Sequence, residues 1–219
     1  MIWQARQRRG VALSAILVVA LAAGATAVAE VGTDDRAGTG DVAPVTGFDL
    51  ARYLGTWHEI AAIPTWFQED CAASTSASYA MAEDVAGITV TNSCVEADGS
   101  LSQALGRARF TGPDDQGGLE VTFLSLLGYW LWPIAGEYVV IALDPDYQWT
   151  AVGHPSREYG WILAREERID TEMLAEIAAA YAAAGYDTCT LLMSPRAVGD
   201  PRTPLCEVVA AAAPDAASN

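Results

Sequence analysis

The chain has 219 residues, with 28 Asp and Glu against 12 basic residues, all of them Arg, for a formal net charge of −16. An acidic surface of this kind repels phosphate and argues against nucleic acid as a partner. Apolar residues make up 52% of the chain, enough to bury the core of one domain of ordinary size after terminal segments are set aside.

Residues 1–29 have the order of a secretory signal peptide: Arg6, Arg8 and Arg9, then an apolar stretch, then the small-x-small site Ala27-Val28-Ala29. Export and cleavage are expected, placing the mature chain in the periplasm or outside the cell, with association with the outer membrane a further expectation. An apolar run of this length retained as an anchor is the alternative reading. Arg8-Arg9 fits a twin-arginine motif poorly, and no Cys lies near the cleavage site to carry a lipid. Residues 30–47 are rich in Gly, Asp, Thr and Ala without periodicity and read as a flexible linker.

From Phe48 the pattern becomes short strands at regular intervals. Expected strands cover residues 52–62, 74–82, 87–95, 102–110, 119–124, 137–143, 149–153 and 159–164. The turn signals between them include Asp98-Gly99, "TGPDDQGG" and "DPDY". Eight meandering strands on one antiparallel path predict an all-β fold, an up-and-down barrel or sandwich. Residues 169–184 then switch to a helical pattern, with Asp170 as N-cap, Gly185 just past the end, and Met173, Leu174, Ile177 and Tyr181 as an apolar stripe for the sheet. A last short strand is expected at residues 188–193. Residues 196–219 read as a Pro/Ala-rich tail, mobile apart from Cys206.

The sequence holds no Gly-x-Ser-x-Gly, His-Glu-x-x-His, phosphate loop or dinucleotide fingerprint, so no catalytic site, metal or cofactor is expected. His58 and His154 lack nearby ligand partners. Cys71, Cys94, Cys189 and Cys206 are even in number and suit two disulfides in an oxidising compartment. Strand pairing between residues 74–82 and 87–95 favours Cys71 with Cys94, which leaves Cys189 with Cys206. Strand alternation puts Tyr159, Trp161, Leu163 and Arg165 on one face, and Trp57, Glu59 and Ala61 on one face of the first strand. If those faces close inward, the interior is an aromatic-walled pocket with a few polar groups.

Three segments, "YLGTWHEI", "VIALDPDYQWTAV" and "YGWILAR", resemble in order and spacing the signature segments of the lipocalins, especially those of bacterial outer membranes. The resemblance covers residues 48–195. It implies an eight-stranded calyx with a C-terminal helix packed on its outside, binding a small hydrophobic ligand such as a fatty acid or lysophospholipid. It assigns Trp57 to the closed end with Arg165 packed on it, Gly55 to a close backbone approach, and Asp144 to a turn at that end. It suggests Tyr79, Asn92, Tyr138 and Trp161 as cavity wall. Glu59, on the same strand face as Trp57, is expected inside as well, and because an unpaired buried carboxylate is costly, Arg107 or Arg109 is expected beside it. The resemblance also offers a second disulfide pattern, Cys71 to Cys206.

Two features depart from the family pattern. His58 replaces a usual Tyr on the outer face of its strand. "FLSLLGYWLWPIAGEY" is long and apolar, so Trp130, Leu131 and Trp132 are candidate membrane contacts or a ligand gate, with a homodimer contact or local packing as alternatives. An enzyme built on the same calyx, of the isomerase type, is the competing functional reading. It requires a free cysteine.

Overall fold

A computed structural model describes residues 41–83 and 87–212. The signal peptide and most of the linker read from the sequence, with the end of the tail, lie outside the described residues.

The backbone begins with one turn of helix, α1 (Leu50–Tyr53), followed by β1 (Gly55–Ala62), a 3-10 turn at Trp66–Gln68, β2 (Cys71–Met81), β3 (Ile88–Glu96), β4 (Leu101–Phe110) and β5 (Gly118–Thr122). A two-stranded excursion, β6 (Ser125–Leu126) and β7 (Tyr129–Trp130), and a 3-10 turn at Trp132–Ile134 lead into β8 (Gly136–Leu143), β9 (Trp149–Gly153) and β10 (Gly160–Ala164). Then come α2 (Thr171–Ala183), a 3-10 turn at Thr188–Thr190, β11 (Leu192–Met193) and α3 (Leu205–Ala212). Eight strands pair antiparallel in sequence order, and β1 pairs with β10 to close the barrel. Closure removes the exposed sheet edges that an open sheet presents.

Alternation along the strands divides the core into two clusters. The inner one holds Trp57, Ala77, Tyr79, Val90, Ala108, Leu119, Val140, Val152 and Leu163. The outer one lies between the barrel and α2 and includes Ile60, Ala61, Ile162, Ala164, Leu174, Ile177 and Tyr181. Asp170 caps α2 by accepting from Met173 N, and Gly185 takes the left-handed conformation that ends it. The Tyr181 hydroxyl reaches the carbonyls of Val152 and Trp161, at 2.8 and 2.9 Å, so the helix is fastened to the barrel by polar contacts as well as by packing.

Several expectations need correction. Residues 52–54 are not the start of β1. Asp49 caps α1 through its side chain, and a single helical turn is too short to leave a periodicity. Ala61 does not share a face with Trp57 and Glu59. The register against β10 shifts between Glu59 and Ala61, and this bulge turns Ala61 to the outer cluster. Residues 188–193 give a 3-10 turn and only two strand residues, and the tail forms α3, with Leu205 fully buried. The end of the expected linker is part of the fold: Val45 exchanges backbone hydrogen bonds with Val140 and Gly117. The disulfides are Cys71–Cys94 and Cys189–Cys206, not Cys71–Cys206.

One end of the barrel is shut by Arg165 and Trp57. The guanidinium carbon lies 3.7 Å from the Trp57 ring centroid. Its nitrogens donate to the carbonyls of Arg52, Tyr53 and Leu54 at the end of α1, to Thr56, and to Tyr147. Trp57 Nε1 donates to Tyr53 O at 2.8 Å. Gly55 has φ +98°, and a Cβ there would meet Arg165 Nη1 at 3.3 Å, so only glycine suits both the backbone and the neighbour. Asp144 accepts from the backbone of Asp146 and Gln148, forming the β8–β9 turn at the same end. The guanidinium acts as a planar fork, which an ammonium cannot reproduce. Arg165→Lys is therefore expected to lower the unfolding free energy by about 2 kcal/mol, read as a reduced urea midpoint with an unchanged m-value.

Candidate functional site

The other end of the barrel is bordered by the β1–β2, β3–β4, β5–β8 and β9–β10 connections, and a cavity of about 110 Å³ opens there. Its walls include Val90, Val121, Phe123 and Leu163, together with Glu59, Phe67, Gln68, Asn92, Tyr138 and Trp161. Trp161 and Leu163 reach it because β10 alternates. Phe123 reaches it because position 106 is glycine: a Cβ there would lie 2.8 Å from the Phe123 ring.

Of the residues expected to form the wall, Asn92, Tyr138, Trp161 and Glu59 line the cavity, and Tyr79 does not. Tyr79 is buried behind Tyr138 and bonded to it, hydroxyl to hydroxyl, at 2.9 Å. Tyr138 also bonds the Tyr53 hydroxyl at 2.6 Å. Burial pushes the Tyr79 phenol up to about 12 and raises Tyr53 and Tyr138 as well, so all three stay neutral and serve as hydrogen-bonding groups. Tyr53 was missed by sequence reasoning because residues 52–54 read as strand.

Glu59 is 94% buried, being 6% exposed. Gln68 Nε2 donates to one of its oxygens at 2.8 Å and the Ser194 hydroxyl to the other at 2.5 Å. Trp161 Nε1 donates in turn to Gln68 Oε1 at 3.1 Å. A carboxylate, an amide and an indole thus form one connected polar strip at the mouth. Burial raises the Glu59 pKa, while the two donors and the more distant charges of Arg202 and Arg196 oppose that rise. The expected pairing of Glu59 with Arg107 or Arg109 does not occur. On β4 it is Ala108 that faces the interior, so residues 107 and 109 point outward. Arg109 pairs with Glu120, and Arg107 donates to Thr89. Gln68 and Ser194 carried no signal in the sequence, since one sits in a loop and the other arrives from 135 residues away. Asn92 Oδ1 is buried without a hydrogen-bond partner.

The apolar excursion after β5 folds over the outside of the barrel. Arg107 lies 5.4 Å from the Trp130 ring and Arg109 4.1 Å from that of Trp132, and Thr122 is buried beneath. Trp130, Leu131 and Trp132 are half-buried in this arrangement. The exposed apolar groups are the tip residues, Leu127 at 89% and Tyr129 at 77%, with Leu124, Leu126 and Ile134. His58 points outward, beside Glu166, Glu167 and Arg168 in a shallow surface recess.

A closed eight-stranded antiparallel barrel, plugged at one end by an Arg-on-Trp pair and open to a cavity at the other, defines a calyx-type binding protein. The lipocalin-like domain model matches residues 48–196, and the chain belongs to that family. It is 37% identical over 147 residues to the outer membrane lipoprotein Blc of Escherichia coli K12, covering 67% of this chain and 78% of that protein. Temperature-induced lipocalin-1 of Arabidopsis thaliana is 32% identical over 160 residues, covering 73% and 85%. Apolipoprotein D of Macaca fascicularis is 32% identical over 164 residues, covering 72% and 82%. Insecticyanin of the tobacco hornworm Manduca sexta shares the fold, with a TM-score of 0.56 at 23% identity, over 72% of this chain and 85% of that one.

Glu59 makes stability depend on pH in a defined direction. A carboxyl group whose folded pKa is raised contributes stability that is fully present below its unfolded value, near 4.5, and is lost as pH rises through the folded value. Glu59→Gln removes that loss. The variant is expected to show a higher urea midpoint than the parent at pH 8, with the difference closing as the pH is lowered to 4.

Proposed function

We propose that this protein carries or stores a small hydrophobic ligand, a lysophospholipid or related single-chain lipid, at the bacterial cell envelope. The observation that carries the reading is the cavity itself: mainly apolar and aromatic walls with a few converging polar groups, the usual make-up of a small-molecule site. Its volume of about 110 Å³ is small beside the ~300–1,000 Å³ of pockets for drug-sized ligands. That favours a slender chain over a fused-ring molecule. Export to the envelope is supported by the signal-peptide pattern of residues 1–29 and by the similarity to a protein named as an outer membrane lipoprotein.

The isomerase reading needs a thiol, and all four cysteines are paired. Contact with the membrane is assigned to the apolar tip of the β6–β7 excursion, where Leu127 is 89% exposed. The excursion leaves the barrel directly after Phe123, a residue of the cavity wall. In this reading Trp130 and Trp132 brace the tip against Arg107 and Arg109, and Leu126, Leu127 and Tyr129 meet the bilayer.

Two experiments test these readings. Titration with 1-decanol, followed by the fluorescence of the tryptophans, is expected to saturate at one ligand per chain. Ala77→Phe fills the cavity and is expected to weaken that binding about tenfold or more, at a stability cost of about 1–3 kcal/mol. Unsaturable binding, or no effect of the substitution, would sink the cavity reading. Co-sedimentation with phosphatidylcholine vesicles is expected for the parent chain and to be lost in Leu126→Asp/Leu127→Asp. Retention of binding by that double variant overturns the docking surface.

A further inference from the structure

The charge on the cavity wall has the opposite sign to the one a fatty-acid site needs. Glu59 is the one charged residue among those lining the cavity, and among the described residues it has no ion-pair partner. Its oxygens are held by two neutral donors, Gln68 and Ser194. The cationic charges that act on it, Arg202 and Arg196, do not line the cavity, and Arg202 donates to the carbonyl of Cys71. A buried carboxylate left with neutral donors is under-compensated. A second acceptor, Asn92 Oδ1, is buried in the same wall with no donor. Aromatic faces complete the set: the Phe67 and Trp161 ring centroids lie 6.5 Å apart, and Trp161 stacks on Tyr159 at 6.2 Å. Aromatic π-faces attract cations and repel anions.

Resting on the reading of the cavity as a lipid site, we propose that the cavity selects single-chain amphiphiles carrying a cationic, hydrogen-bond-donating ammonium head, placed against Glu59 and Asn92. A free carboxylate head is rejected there, because it meets the like charge of Glu59 and brings no donor for Asn92 Oδ1. The ammonium supplies the missing counter-charge and donors together. The alkyl chain then runs past Val90 and Leu163 toward the tyrosines at the base.

Three ten-carbon ligands that differ only in the head decide the matter by calorimetry at pH 8: decylammonium, decanol and decanoate. The expected order is decylammonium tightest, by about tenfold over decanol, and decanoate weakest. Glu59→Gln is expected to bring decylammonium and decanol within about threefold of each other and to strengthen decanoate. Lowering the pH through the raised range of Glu59 is expected to erode the decylammonium advantage in the parent chain, without moving decanol. Decanoate binding as tightly as decylammonium overturns the selection while leaving a lipid cavity in place. An unchanged preference in a folded Glu59→Gln variant overturns the role of Glu59. Failure of all three ligands overturns the cavity reading and this inference with it. Should Glu59→Gln not fold, the order in the parent chain still decides, and Asn92→Leu, expected to weaken decylammonium more than decanol, provides the second variant.

Discussion

The stacking of Arg165 on Trp57 fixes more of this molecule than any other contact. One guanidinium covers the Trp57 ring and collects carbonyls from Arg52, Tyr53, Leu54, Thr56 and Tyr147. The end of α1 has carbonyls that no helical partner satisfies, and the arginine supplies their donors. Because the Tyr53 carbonyl is also held by Trp57 Nε1, the Tyr53 side chain is set in place, and its hydroxyl meets that of Tyr138. Tyr138 is part of the cavity wall. A contact at the closed end thus reaches the cavity wall through Trp57 on β1, Tyr53 on α1 and Tyr138 on β8.

The open end depends on a different device, the bulge in β1. Before it, β1 pairs with β2 from Gly55 to His58. After it, Ala61 and Ala62 pair with β11 instead. That exchange brings the segment after β11 against the barrel rim, where Ser194 N bonds to Ile60 O and the Ser194 hydroxyl to Glu59. The Cys189–Cys206 disulfide and the Arg202 contact with Cys71 O tie the same segment down. The chain after α2 is therefore a component of the binding end, contributing one of the two donors that hold the buried Glu59.

The sequence was most legible where its periodicity was unbroken. β10 alternates without interruption, and Trp161, Leu163 and Arg165 lie where alternation puts them. The three signature segments carried the barrel, the floor and the helix. Legibility failed where a non-local contact overrides a local pattern. The β1 bulge inverts Ala61, and nothing in "WHEIAA" marks it. Asp49 and one helical turn precede β1 too briefly to register. α3 was hidden by a composition that reads as tail, and it is held by Leu205 in the outer cluster and by a disulfide. The partners of Glu59 come from a loop and from the far end of the chain, so no spacing rule connects them.

One failure was avoidable, and it shows what gives the cavity its sign. An arginine was expected beside Glu59 because a buried carboxylate requires compensation, which is sound as energetics. Alternation on β4 already excluded it: Gly106 lies against Phe123 in the wall and Ala108 is in the inner cluster, so residues 107 and 109 lie on the outer face. There they stack against Trp130 and Trp132. The cations nearest in the sheet therefore support the apolar excursion on the outside, and Glu59 is left as the one charged residue lining the cavity. Strand parity, not the total charge of the chain, decides which side of a barrel wall a charge serves. In this protein it separates a cation-supported outer surface from an anionic pocket one strand-width away.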